Sequence, residues 1–411
     1  MCSSDLKGEL SMEQNISVER ALEMLRSAVQ PLPPVRRRAT EAEGFVLAED
    51  VFAPIHQPPW PRSPLDGYAL RAAYSAPGAA KRVVATICAG SCYDGPVGPK
   101  EAVRLMTGAP IPPECDCVIA QEDTDGGTET VLLHRALRPW ENYCFTGEDY
   151  RRGALLLPQG TRLRGLALGL LASAGLLRRD VELAVRPRLR AALICTGDEL
   201  VPADTPELGP GKIYSSNAWL LASRLRMLGV ELTVLRETFS DDAPALAETV
   251  RSALPGCDLV LTTGGVSVGA KDILHETLPL LGAERLFWRV RLKPGSPLMF
   301  SLVDGKPLLS LSGNPFAAAA TFELFARPLL AALEGCGEGL PTAVRATLDA
   351  DFPKRASVPR YVRGRLTDGR LSLPAGHSSG QLASGLGTNC LAEIPAGASC
   401  PAGTEVRAWL L

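Results

Sequence analysis

The sequence predicts a multidomain α/β plus β protein, with a doubly wound parallel sheet flanked by mostly-β segments. Three observations predict it. From Arg188 onward, apolar runs of strand length alternate with stretches of helical length, the pattern of a parallel sheet covered on both faces. One of those runs, Leu259 to Thr263, is apolar with β-branched residues and passes straight into Gly264-Gly265. Up to about Phe145, and again from about Glu338, the texture changes to short β-like runs separated by Pro and Gly. At 411 residues the chain is too long for one core, so two to four domains are expected.

Taken in order, Ser17 caps a helix reaching about Val29, with Glu19 in its first turn, and Pro31, Pro33 and Pro34 end it. The runs Arg82–Cys88, Ala102–Met106, Cys117–Gln121 and Thr130–His134 make a small β domain, with Asp125-Gly126-Gly127 as a hairpin turn. Gly165–Leu177 reads as a helix and Val181–Val185 as an extended link. Then come a strand at Leu189–Cys195, a helix at Asn217–Leu228 stopped by Gly229, and a strand at Val230–Leu235. Asp241 is placed to cap a helix over Ala243–Leu254. After the Leu259 strand follow a helix at Ile273–Leu281, a strand at Pro307–Leu311 and a helix at Phe316–Leu333.

Charge is balanced, 43 Lys+Arg against 45 Asp+Glu, which argues against a dedicated nucleic-acid binder or a polybasic membrane surface. Any anion site must be local. The most apolar stretch, Leu166–Leu177, is too short to span a bilayer, and Met1 to Glu13 has no signal-peptide core, so a cytoplasmic protein is expected. Eleven cysteines are scattered without zinc-site spacing and read as reduced thiols.

Three loops follow strands: Thr196–Glu199, Gly264–Asp272 and Ser312–Pro315. In a parallel sheet they share one edge, where open α/β sheets bind ligands. Gly264, Gly265 and Gly269 let an anion approach main-chain N–H groups, although an ordinary βα turn has the same glycine spacing. Asp198, Glu199 and Asp272 are placed to converge beside that loop, and carboxylates beside phosphates suit Mg²⁺-assisted chemistry. Each acid alone reads more readily as a solvated loop residue or a helix cap, and it is the joint pattern that favours the site. Lys293-Pro294-Gly295 adds a cation on a turn. In the β region, Asp66 sits on the sharp turn of Ser63–Ala69, and Thr107 on that of Met106–Pro110.

Eight ordered motifs carry a resemblance: Ser63–Ala69, Met106–Pro110, Gly147–Asp149, Thr196–Leu200, Gly264–Gly269, Lys293–Gly295, Ser312–Pro315 and Ser378–Gly380. Together they resemble the molybdopterin molybdenumtransferase family of MoeA proteins and the gephyrin E domain, over nearly the whole chain. The resemblance implies a discontinuous first domain (12–46 and 146–182), an inserted β domain (47–145), an α/β molybdopterin-binding domain (183–335) and a β-barrel-like C-terminal domain (336–411). It implies a cytoplasmic homodimer that meets other molybdenum cofactor biosynthesis proteins. The implied reaction inserts molybdate into adenylylated molybdopterin and releases AMP, assisted by Mg²⁺.

Carried over residue by residue, the resemblance gives Asp66, Thr107, Asp149, Asp198, Asp272 and Lys293 catalytic roles, and Asp198 and Asp272 the metal. Binding falls to Gly264, Gly265, Ser267, Gly269, Ser215, Asn217, Ser312, Gly313, Asn314, Pro315, Arg289, Arg363, Ser378 and Ser379. Molybdate would meet Lys293, Arg363 and the hydroxyls of Ser378 and Ser379. Several positions depart from the family pattern. Ser215 stands where an Asp is common, Ser296 where a Lys is common, and Tyr143-Cys144-Phe145-Thr146 where arginines are common. Arg289 replaces a Lys and Ser312 a Pro. These departures also admit a second reading, a molybdopterin-binding scaffold with weak catalysis.

Overall fold

The computed structural model describes residues 12–266, 273–337, 339–397 and 399–411. They form two compact units, one of residues 12–35, 44–46 and 185–411, the other of residues 36–43 and 47–184.

The first unit carries a seven-stranded sheet in the order Glu13–Ile16, Glu284–Val290, Met299–Val303, Lys306–Leu311, Leu259–Thr263, Arg190–Thr196, Glu231–Phe239. Met299–Val303 alone runs against the rest. The four strands expected from the sequence form one parallel half. The three unexpected ones, two of them formed where the chain turns back after Val290, extend that half beyond Lys306–Leu311.

The winding is double because side chains alternate across each strand. Ala191 and Leu193 pack with Leu221, Leu225 and Leu329 on one face, whereas Ala192 and Ile194 pack with Leu246, Val250 and Leu278 on the other. Helices Val18–Ser27, Ser216–Met227 and the stretch Pro315–Glu334 cover the first face; Ala243–Ala253 and Ile273–Leu280 cover the second. Ser17 accepts from the Arg20 amide at 3.1 Å and caps the first helix as expected. Asp241 does not cap the Ala243 helix. Its neighbour Asp242 does, accepting from the Ala245 amide at 2.9 Å.

Pro315–Glu334 is continuous helix with a π turn at Phe322–Ala326. Pro328 has no N–H to bond the Leu324 carbonyl, and the wider turn lies just before it. By length and composition this is a helix long and apolar enough to cross a membrane, longer than the Leu166–Leu177 stretch weighed from the sequence; 83% of its most apolar window is buried inside the fold. The unit ends in a closed barrel of Ala343–Leu348, Arg370–Ser372, Arg360–Thr367, Cys390–Ile394 and Glu405–Leu410, filled by Leu348, Phe352, Val362 and Leu371.

The second unit holds a five-stranded sheet in the order Cys117–Ala120, Gly67–Leu70, Glu101–Leu105, Ala80–Ile87, Thr130–Leu132. Tyr68 faces one core and Ala69 the other. The Asp125 turn forms, with the Asp125 carboxylate accepting from the Gly127 and Leu132 amides at 3.1 and 2.9 Å. The chain on either side pairs briefly, Thr124 opposite Leu133 in an antiparallel bridge and the His134 amide donating to Asp123 O at 2.9 Å, while the strands Cys117–Ala120 and Thr130–Leu132 lie at opposite edges of the sheet.

Candidate active site

Strand ends set the position of the site. Leu259–Thr263 and Arg190–Thr196 run side by side, and at their carboxyl ends Gly264 passes so near Thr196 that a Cβ would stand 2.2 Å from the Thr196 carbonyl oxygen. Gly264 has φ +91° and Gly265 φ +60°, where a side chain would also strike Ile273 at 2.8 Å. Glycine is therefore required twice in succession. The neighbouring loop closes on the same point: a Cβ on Gly313 would lie 3.4 Å from the Gly264 Cα. Asn217, at the start of its helix, donates its side-chain amide to the Gly313 carbonyl at 2.8 Å and holds that loop in place. The Trp288 indole N–H donates to the Val266 carbonyl at 3.2 Å, and Arg289 stacks on the Trp288 ring at 4.7 Å. Arg289 thus braces the glycine turn through Trp288.

These loops open onto a cleft of about 810 Å³. On its sheet wall are Thr196, Gly197, Glu199, Gly264, Gly265, Ser312, Gly313, Asn314 and Pro315, with Ser215 and Asn217 beneath. Ser215 Oγ and Asn217 Oδ1 are buried without a hydrogen-bond partner among the described residues, so both can turn to a ligand. Asp198 and Asp241 meet at the same edge. The Asp241 amide donates to the Asp198 carboxylate at 3.0 Å, and the Asp198 amide to the Asp241 carboxylate at 3.4 Å. Two carboxylates held together beside a phosphate-sized cradle fit Mg²⁺, which takes one or two carboxylates and completes its octahedron with water and phosphate oxygens. Among the described residues no group of three or more His, Cys, Asp or Glu forms a metal cluster. Ser267, Gly269 and Asp272 lie outside the described residues.

The opposite wall comes from the Lys293 turn and the barrel: Lys293, Pro294, Ser296, Lys354, Arg360, Tyr361, His377, Ser378 and Ser379. The Lys293 turn is tied to the barrel strand by the Lys293 amide donating to Pro359 O at 2.9 Å and the Tyr361 amide to Lys293 O at 2.7 Å. The Phe316 amide donates to Ser379 O at 3.0 Å. This wall is cationic. Lys293, Lys354 and Arg360 have no acidic partner within ion-pair distance among the described residues, and Arg360 Nε and His377 Nδ1 are buried without partners. Burial, followed by the charges of Lys354, Arg363 and Arg360, holds His377 below the ordinary histidine range.

Arg363, which the resemblance assigns to molybdate, lies beneath the Ser378 loop. It is 2% exposed, stacks on Phe316 with its guanidinium carbon 3.8 Å from the ring centre, and donates to the carbonyls of Gln381 and, at 2.7 Å, Ser378. It faces a separate apolar cavity of about 590 Å³ and reaches the cleft only through the Ser378 loop that it anchors. Lys354, Arg360, His377 and Asp241 are the cleft residues that sequence reasoning missed. For Asp241 the signal was present: of two adjacent acids after a strand, one suffices for the cap. The three barrel residues carry no local signal.

In the second unit, two motif turns form one local arrangement. The Ser63 amide donates to Ala109 O at 2.9 Å and the Gly108 amide to Ser63 O at 2.8 Å, zipping the turns together. Asp66 then accepts from both the Thr107 amide at 2.6 Å and the Thr107 hydroxyl at 2.7 Å. Those bonds, the amide first, hold the Asp66 carboxyl below the usual range. Gly67 is obligatory here, since a Cβ would lie 2.0 Å from Ile119 O. The Asp149 amide donates to Gln57 O at 2.9 Å, leaving its exposed side chain on the surface.

Three family models match in order: MoeA N-terminal region (domain I and II) over residues 16–175, probable molybdopterin binding domain over 192–332, and MoeA C-terminal region (domain IV) over 345–411. A molybdopterin molybdenumtransferase of Staphylococcus aureus (strain COL) is 34% identical over 391 residues, 93% of this chain and 92% of its own. One from Staphylococcus epidermidis (strain ATCC 12228) is 32% identical over the same shares. The crystal structure of a molybdopterin biosynthesis moeA protein from Pyrococcus horikoshii OT3 is similar with a TM-score of 0.82 and 27% identity, over 96% of this chain and 100% of that one.

Proposed function

Because this chain belongs to the MoeA family of molybdopterin molybdenumtransferases, we propose that its cleft binds adenylylated molybdopterin and molybdate and releases AMP with the metal inserted. It is an enzyme of molybdenum cofactor biosynthesis. What carries the finer reading is the pairing of unlike walls: a glycine cradle at parallel strand ends faces three cations across one cleft. The pyrophosphate lies against Gly264 and Gly265, where the missing side chains let an anion approach the backbone closely. Ser215, Asn217 and the Ser312–Pro315 loop receive the remainder of the nucleotide or pterin. Lys293, with Ser378 and Ser379, takes the oxyanion. Asp198 and Asp241 hold Mg²⁺, and the resemblance adds Asp272, at the end of the Gly264 loop, to the metal. When bound, the metal offsets phosphate charge as the pyrophosphate link is cleaved.

The family resemblance also supports a homodimer in which Asp66, Thr107 and Asp149 of one copy serve the cleft of the other. Sedimentation of the purified chain tests the oligomer. AMP release from adenylylated molybdopterin, with Mg²⁺ and with or without molybdate, tests the reaction. Molybdate-dependent release is expected. Ligand binding without release leaves the scaffold reading, for which Ser215 and Ser296 remain the motivating substitutions.

A further inference from the structure

We propose that Lys354, Arg360 and His377 form an oxyanion subsite on the barrel wall, in which His377 takes up a proton as a tetrahedral dianion such as molybdate binds. The inference rests on the reading of the cleft as a substrate site. Lys354 and Arg360 face the cleft with no acidic partner among the described residues, although the chain as a whole carries a net charge of −2. Like charges gathered at one wall repel, and an anion relieves that cost. Two polar atoms there, Arg360 Nε and His377 Nδ1, are buried without a partner among the described residues. Leaving such atoms unpaired is costly unless a ligand satisfies them.

His377 is held in place rather than loose. Its ring meets the buried Phe352 edge-on, centroids 5.3 Å apart, and the next residue, Ser378, is anchored from below by Arg363 at 2.7 Å. The groups facing the imidazole are therefore Phe352 and the cations Lys354, Arg363 and Arg360, which with burial favour its neutral form in the open cleft. A dianion reverses that balance. It offsets the cations and accepts from a protonated ring, so the imidazole pKa rises on binding. Affinity is then greatest at pH below the free-state value and falls as pH rises through the bound-state value. Each unit by which binding raises that pKa is worth up to about tenfold in affinity. His377 is a positioning and selectivity residue here, since a planar or singly charged anion gains less from the third donor.

The test is calorimetric titration of the full chain with sodium molybdate at about pH 6 and about pH 8, in two buffers of different ionisation enthalpy. The expected result is tighter binding at the lower pH with protons taken up from the buffer. His377→Gln keeps a donor but cannot titrate, and it is expected to bind equally at both pH values with no uptake. Lys354→Met is expected to weaken binding at both. Wild-type binding without proton uptake overturns the proposal, as does a His377→Gln protein that keeps the pH dependence. Should the variant misfold, the imidazole titration of the wild-type protein followed by NMR decides: its pKa must rise when molybdate is added. Molybdate-dependent AMP release without that rise sinks the subsite and leaves the enzymatic reading standing, while the rise without AMP release does the reverse.

Discussion

The two walls of the cleft are built by opposite means. On the sheet wall the backbone comes so close at three points that side chains there have no room: Gly264, Gly265 and Gly313 stand where Cβ atoms would collide with Thr196, with Ile273 or press on Gly264 itself. On the barrel wall the backbone is occupied with holding loops together, and charged side chains line the cleft. The difference predicts different responses to substitution. The first wall has no tolerance for added atoms but little dependence on salt. The second tolerates changes of shape and depends on charge, so its contribution is screened as ionic strength rises.

The largest expected effect is on the first wall. Gly264→Ala places a Cβ 2.2 Å from a backbone oxygen at φ +91°, and neither strand can yield without losing ladder bonds. Destabilisation of at least about 2 kcal/mol is expected, together with loss of ligand binding. Chemical denaturation and a binding titration measure both. A stable Gly264→Ala protein that still binds would break the contrast, because the glycine would then be an ordinary turn residue.

Next come the carboxylates. Asp241→Asn keeps the shape of the reciprocal contact with Asp198 but removes one charge. Turnover is expected to fall about a hundredfold, with a higher Mg²⁺ requirement and a folded protein, as for loss of one metal ligand. Unchanged Mg²⁺ dependence would assign Asp241 to loop structure alone. On the barrel wall Lys293→Ala is expected to weaken binding about tenfold at low salt, to lose most of that difference at high salt, and to leave thermal stability unchanged because the side chain is exposed. A salt-independent loss would mean that Lys293 acts through its turn.

The same contrast explains what was legible. Backbone-built sites write themselves into sequence, since each required glycine is fixed by a collision; Gly264, Gly265, Gly313 and Gly67 could all be read from motif and turn. The four parallel strands were legible for a similar reason, being apolar and bounded by breakers. Glu284–Val290 was not, because its Glu284, Arg285 and Arg289 blur the apolar pattern, and Glu13–Ile16 is a short polar edge strand. Side-chain sites assembled from distant strands leave no local trace. Lys354, Arg360 and His377 converge only because the barrel closes, and each alone reads as surface. Arg363, a motif arginine, is buried beneath the Ser378 loop and shapes it through carbonyl contacts, a placement its motif does not reveal.

The smallest expected effect concerns the Asp66–Thr107 turn, which combines both strategies in one contact. The Thr107 backbone amide is the larger cause of the lowered Asp66 pKa and the Thr107 hydroxyl the smaller. A carboxyl whose folded pKa is depressed contributes stability that is present above its ordinary value of 3.8 and is lost as pH falls through the folded value. The window therefore lies below pH 3.8. Thr107→Val removes only the hydroxyl. In an NMR titration the Asp66 carboxyl of that variant is expected to move up but to stay below 3.8, because the amide at 2.6 Å still donates. Arrival at the ordinary value would show the side chain, not the backbone, to be the principal donor, and would move this turn from the sheet wall's way of holding an anion to the barrel wall's.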